Sequence, residues 1–102
     1  MIERSLILYT NNSEKYIKRV LRSILEQIDD TKEQLVIVDD LSTDNTVPII
    51  VSLIGYLFDD EEHYKFYINT AKKGHKDSVE MAKKIAKGDY KFVINKKKKV
   101  RL

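Results

Sequence analysis

Four short apolar runs alternate with three segments of helical period, and that alternation restricts the chain to a mainly parallel α/β sheet. Ser5-Leu6-Ile7-Leu8-Tyr9, Leu35-Val36-Ile37-Val38, Tyr64 to Ile68 and Tyr90 to Ile94 have the length and the β-branched or aromatic content of strands. After the first run, Tyr16, Ile17, Val20, Leu21, Ile24, Leu25 and Ile28 recur at helical steps, with Ser13 in position to cap them. After the second, Val47 to Phe58 reads as a strongly apolar helix, with Pro48 near its first turn and Gly55 weakening it. After the third, Val79, Ala82, Ile85 and Ala86 form the buried stripe of a further helix. Asp77 and Glu80 have the spacing of a capping box at its start, and Gly88 reads as its C-cap. Crossovers of this length give right-handed connections and helices on both faces of the sheet.

With 102 residues, the chain has room for one small domain. At 42% hydrophobic and 34% charged it can bury a core beneath a solvated surface. It has no cysteine, which excludes disulfides, thiolate metal sites and cysteine nucleophiles. No apolar run is long enough to span a bilayer, and the first residues lack a signal-peptide layout, so a cytoplasmic location is expected. The net charge of +3 resides in the last residues. Without Lys96, Lys97, Lys98, Lys99 and Arg101, the 19 basic residues fall to 14 against 16 acidic ones. That balance argues against a nucleic-acid-binding fold. Residues 1–95 are expected to form the domain and residues 96–102 a basic tail.

In parallel sheets, ligands bind at the carboxyl ends of the strands, near the point where strand order reverses. Thr10, Asn11 and Asn12 fall at such an end, and so do Asp39 and Asp40. Three readings of these twin acids stay open on residue type alone. They are a solvated loop and helix cap, a metal site for phosphoryl transfer, or an acceptor for a base or ribose. Receiver domains pair their acids at the end of the first strand and place a third acid after the third strand. Here the pair ends the second strand, and Ile68-Asn69-Thr70 carries no acid.

The segments Ser5 to Leu25, Leu35 to Thr46 and Asn69 to Tyr90 together resemble family 2 glycosyltransferases of the GT-A fold. The specific part is Asp39-Asp40-Leu41-Ser42-Thr43-Asp44-Asn45-Thr46, against the family's Asp-Asp-Gly-Ser-Thr-Asp. The resemblance runs from about Ser5 to Asn95 and implies the N-terminal, nucleotide-binding half of that fold. The expected architecture is a three-layer α/β/α, Rossmann-like domain with a mainly parallel four-stranded sheet in the order 3-2-1-4. By the resemblance, Thr10 and Asn12 line a nucleotide pocket, Asp39 contacts the base, and Asp40 positions the loop beside it. The ligand implied is a nucleoside diphosphate or UDP-sugar.

The departures from the family bear on activity. The family's Asp-x-Asp, which holds Mn or Mg against the diphosphate, falls at Asn95 and Lys97. Neither is a carboxylate, so no metal site is expected there. The family's Arg-Asn pair falls at Val79 and Glu80, and its glycine after the twin acids at Leu41. The acceptor-binding half and its catalytic base lie beyond the family's midpoint. The expectation is a truncated domain with weak nucleotide affinity, not competent for transfer alone and with no catalytic residue assigned. The alternative is an interaction module that has lost its ligand and assembles with itself or a partner chain through helix 2, with Ile49, Ile50, Leu53, Ile54, Leu57 and Phe58.

Overall fold

The computed structural model describes residues 1–94; Asn95, Lys97 and the basic tail lie outside the described residues. The elements run β1 (Arg4–Thr10), α1 (Glu14–Gln27), β2 (Glu33–Asp39), α2 (Thr46–Ile54), a 3-10 turn (Gly55–Asp59), β3 (Tyr64–Ile68), α3 (Gly74–Ile85) and β4 (Tyr90–Val93). The strands form one sheet in the order β3-β2-β1-β4, and every pairing is parallel. This is the expected order. It places the carboxyl ends of β1 and β2 side by side, with Thr10 in register with Asp39.

The two faces of the sheet bury alternate residues. Leu6, Leu8, Leu35 and Ile37 pack with Ile17, Val20, Leu21 and Ile24 of α1 and with Ile50 and Ile54 of α2. Ile7, Val36 and Val38 face the other way and pack on Ala82 and Ala86, at and just beyond the end of α3. Covered on both faces, the central strands are continuous apolar runs rather than alternating ones.

Helix 2 is shorter than its apolar pattern implies. It ends at Ile54, and Gly55–Asp59 tightens into a 3-10 turn. Glycine is a poor interior helix residue, and the change of winding begins at Gly55. Ile50 and Ile54 are fully buried, and Ile49, Leu53, Leu57 and Phe58 pack against the same core. Of the apolar residues expected to serve an interface, Ile50 and Ile54 are thus committed to the core, while Ile49, Leu53, Leu57 and Phe58 are half-buried against it.

Two local expectations about α3 are corrected. The helix begins at Gly74, so Asp77 lies inside its first turn and forms no capping box. Gly88 is not a C-cap either. The helix closes at Ala86 in extended backbone, and Gly88 is needed for proximity. A Cβ there would stand 2.6 Å from the Ser5 backbone nitrogen and 2.7 Å from the Arg4 carbonyl carbon.

Beneath that crossing lies a buried polar knot. Ser5 Oγ donates to Gln34 Oε1 at 2.9 Å and accepts from Gly88 N–H at 2.8 Å. Gln34 Oε1 also accepts from Lys87 N–H at 3.0 Å. Gln34 Nε2 donates to the Glu62 carbonyl at 3.0 Å. These bonds satisfy polar groups that burial would otherwise penalise, and they tie the α3–β4 loop and the loop before β3 to the amino ends of β1 and β2.

Candidate functional site

The rim at the carboxyl ends of β1 and β2 is built from short polar side chains that bond across loops. Asp39 is fully buried. Its Oδ1 accepts from Thr10 Oγ1 at 2.7 Å and from Ser42 Oγ at 2.6 Å, and its Oδ2 from Ser42 N–H at 2.9 Å. Ser42 Oγ in turn accepts Asn12 N–H at 2.8 Å. Asn12 Oδ1 accepts Thr43 N–H at 2.7 Å. Thr10, Asn12 and Asp39 thus share one network, and the Asp40 N–H donates into it through the Thr10 carbonyl at 2.9 Å.

Asp40 is also fully buried, but its side chain points to another element. Oδ1 accepts from Asn69 Nδ2 at 3.0 Å and from Lys73 N–H at 2.8 Å. Oδ2 accepts from Tyr9 Oη at 3.1 Å and from Gly74 N–H at 2.9 Å. A carboxylate has about four lone-pair positions, and here four donors meet them. Two of those donors are backbone groups at the start of α3, so Asp40 caps that helix from the end of β2. This explains why Asp77 is not required as a cap. Burial works to raise the Asp40 pKa, but the bonds from Asn69, Lys73, Gly74 and Tyr9 outweigh it and bring it to about 2. Burial and the hydrogen bond to Asp40, with the charges of Asp40 and Asp39, push the Tyr9 phenol up to about 12. Tyr9 therefore stays protonated and donates. Its ring meets His75 edge-on, with centroids 4.8 Å apart.

Asp44 joins the two helices that start at this rim. It accepts from Glu14 N–H at 3.1 Å, at the start of α1, and from Thr46 N–H at 2.9 Å, at the start of α2. Glu14 returns the contact by accepting Asn45 N–H at 2.8 Å. Ser13 sits at the N-cap position of α1, but its side chain makes no capping bond. Asp44 takes over that task.

Two residues hold left-handed backbone in these loops, Asn12 at φ 49° and Leu41 at φ 55°. Asparagine tolerates that region, whereas leucine meets a Cβ clash worth roughly 1–2 kcal/mol. Glycine stands at the Leu41 position in the family that the sequence resembles, and the backbone gives the reason. Leu41 is 39% exposed, so little burial is lost on removing it. Leu41→Gly should stabilise the fold by about 0.5–1 kcal/mol once glycine's extra unfolded-state entropy is subtracted. A urea unfolding curve measures this directly.

Sequence reasoning missed Tyr9, Asn69 and Lys72 as site residues. Lys72 Nζ reaches Asn11 Oδ1 at 3.2 Å, and Asn11 Nδ2 donates to the Asp40 carbonyl at 2.7 Å. The β3–α3 loop thereby closes onto the β1 loop. Lys72, Lys73, His75 and Lys76 are exposed there, while both acids of the pair are buried. The rim presents these cations outward and keeps Asp39 and Asp40 inward.

A divalent cation does not fit the described residues of this rim. Asp40 has its acceptor positions filled, and Asp39 has three of its four filled. Among the described residues, no group of three His, Cys, Asp or Glu is placed to hold a metal. Asn95 and Lys97, beyond the described residues, offer one amide oxygen and one ammonium, which do not make a cation's donor set.

A parallel sheet of this order, with a polar rim joining the ends of β1 and β2, defines a Rossmann-like α/β domain of the GT-A kind. The profile of Glycosyl transferase family 2 matches residues 5–96, and the chain belongs to that family. A 1–349 piece of TarS from S. aureus is similar over 91% of this chain, at 29% identity and TM-score 0.75. TarS has been solved in complex with UDP and with UDP-GlcNAc. The mannosyltransferase PcManGT from Pyrobaculum calidifontis, solved with GDP-Man and Mn2+, is similar over 85% of this chain, at 27% identity and TM-score 0.71. The chain spans 27% of the TarS piece and 25% of PcManGT. No curated protein sequence matches it. No helix among the described residues is long and apolar enough to cross a membrane.

Proposed function

We propose that the chain is a nucleotide-binding half of a family 2 glycosyltransferase. It holds the nucleoside diphosphate portion of a nucleotide sugar at the β1–β2 rim, and these residues alone do not transfer the sugar. The observation that carries the reading is the difference between the twin acids. Asp40 is saturated by four donors, whereas Asp39 keeps one acceptor position at Oδ2. Asp39 is the acid able to receive a base or ribose donor, and Thr10 and Asn12 hold the loops around it. Asp39 is fully buried, so a ligand reaches it only when the Leu41–Ser42 turn moves aside. Lys72 and Lys73 supply positive charge for the phosphates without a metal.

Transfer needs an acceptor hydroxyl, a base to deprotonate it and a route to the anomeric carbon. Asp39 and Asp40 are both buried in hydrogen bonds, so neither is the base in this reading. The proposed compartment is the cytoplasm, which suits a cysteine-free sequence.

Calorimetric titration with UDP tests the reading. Asp39→Asn should weaken UDP by about tenfold or more, the value of one charge-assisted hydrogen bond. Chelating divalent metal should leave the affinity unchanged. Equal affinity for the wild type and the variant, or no heat at millimolar UDP, would remove Asp39 from the role.

A further inference from the structure

α1 and α2 cover the same face of the sheet, since both pack on Leu6, Leu8, Leu35 and Ile37. Their other sides therefore point together into solvent. A helix in that position ordinarily carries a polar outer face. α2 does not. From Val47 to Phe58 the chain has no charged residue. Pro48 and Ser52 are exposed, Val51 is 53% exposed, and Ile49 and Leu53 are half-buried.

α1 is the reverse. Lys15, Lys18, Arg19 and Arg22 are all exposed, and steps of three and four set them on one side of the helix. Among the described residues, the ion pairs are Arg4–Glu33, His63–Asp60 and Lys83–Glu80, so none of these four cations meets a carboxylate. Lys15 and Arg19 rest over the Tyr16 ring, each 5.8 Å from its centroid. Cationic and apolar surfaces meet in a groove of about 420 Å³ between the helices, with Lys18 on one side and Pro48, Ile49, Ser52 and Leu53 on the other. Glu14 also lines it, but its carboxylate accepts the Asn45 N–H at 2.8 Å.

We propose that this α1–α2 face docks on an anionic phospholipid bilayer. Headgroup phosphates accept hydrogen bonds from the four cations, and Pro48 and Val51 enter the boundary beneath the headgroups. The two kinds of surface, side by side, select that partner. Cations alone suit any polyanion, and an apolar strip alone suits any apolar groove. Anionic headgroups over acyl chains offer both in one plane. The acids of this layer lie at its other end. Glu26 is in the last turn of α1, and Asp59 to Glu62 close the 3-10 turn after α2 and the loop beyond it, beside the amino ends of the strands. Their repulsion tilts the domain, so that the end where α1 and α2 begin sits closer to the bilayer. The β1–β2 rim is thereby carried toward the membrane surface.

The test is flotation of the full chain with vesicles of phosphatidylcholine alone or mixed equally with phosphatidylglycerol, at low ionic strength. The basic tail is a second source of positive charge, so the test background combines Lys96→Gln, Lys97→Gln, Lys98→Gln and Lys99→Gln. That chain should float with the mixed vesicles and not with phosphatidylcholine. Lys18→Glu with Arg22→Glu should weaken its binding about twentyfold, from the contribution of each cation near an anionic surface. Lys84→Glu with Lys87→Glu makes the same change in net charge at exposed positions in and just after α3, on the other side of the sheet, and should bind as the background does. Val51→Asp, at an exposed position, should also weaken binding. Circular dichroism checks that each variant is folded. A background chain that stays off the mixed vesicles would overturn the proposal, and so would equal losses from the two charge reversals. Should the α1 pair unfold, Val51→Asp against Lys84→Glu with Lys87→Glu decides alone.

Discussion

Asp40→Ala is expected to cost about 3–5 kcal/mol, the range for removing one partner from a buried charged network. Four donors lose their acceptor together: Tyr9 Oη, Asn69 Nδ2 and the backbone N–H groups of Lys73 and Gly74. For a domain of this size the loss is a large share of total stability. The damage should begin at the start of α3, because that helix has no cap of its own. Hydrogen exchange at the Lys73 and Gly74 amides should accelerate more than at β1 or β2. The acid limb of stability provides a second readout. The Asp40 carboxyl is depressed from an ordinary value of 3.8 to about 2 in the folded state. A depressed carboxylate stabilises the fold above its unfolded pKa, and that contribution fades as pH falls through the folded value. The wild type should therefore lose stability between about pH 4 and pH 2, and Asp40→Ala should lack this component of the slope. Asp40→Asn keeps the volume but presents an amide donor to other donors. It should be nearly as destabilising and should share the flattened acid limb. A variant as stable as the wild type at neutral pH would show that Asp40 does not fasten α3.

Gly88→Ala is the second large effect, at about 3 kcal/mol. The added Cβ would lie 2.6 Å from Ser5 N, 2.7 Å from Arg4 C and 2.9 Å from Arg4 Cα. These are backbone atoms of β1, so no side-chain rotation relieves the clash. β4 must move away from β1, and the Gly88 N–H to Ser5 Oγ bond is lost with it. Gly74→Ala is the informative contrast. Gly74 has φ 83° and open space around its Cβ position. Its cost is one of conformation alone, roughly 1–2 kcal/mol. Thermal unfolding of the two variants should rank Gly88→Ala as the less stable. The reverse order would place the role of Gly88 in its backbone angles rather than in its proximity to β1.

The same two positions show how far the sequence could be read. β3 occupies the residues that its aromatic run implies, and the buried face of α1 follows the helical spacing of Ile17, Val20, Leu21 and Ile24. The sheet order was expected from a resemblance resting largely on Asp39 to Thr46. The starts and ends of α3 were not legible. Asp77 and Glu80 carry a local capping pattern, yet the helix begins at Gly74 because a carboxylate 34 positions earlier accepts its first amide bonds. Gly88 looks like a helix stop, because a sequence cannot show which backbone passes within van der Waals range.

For the candidate site, residue types indicated where the polar groups would gather. Thr10, Asn12, Asp39 and Asp40 do meet at one rim. What they do there depends on the direction of each lone pair. Two adjacent acids at a strand end point to opposite sides, since side chains alternate along a strand. One closes its own loop and keeps an acceptor position, and the other is consumed in fastening a helix from the far side of the sheet. The pattern of apolar runs by itself determined the α/β layering, because period and burial are local properties of the chain. Only the tertiary structure decided which acid caps which helix and which glycine gives way to a neighbouring strand. Those outcomes depend on contacts between residues far apart in sequence, and no local pattern encodes such distances.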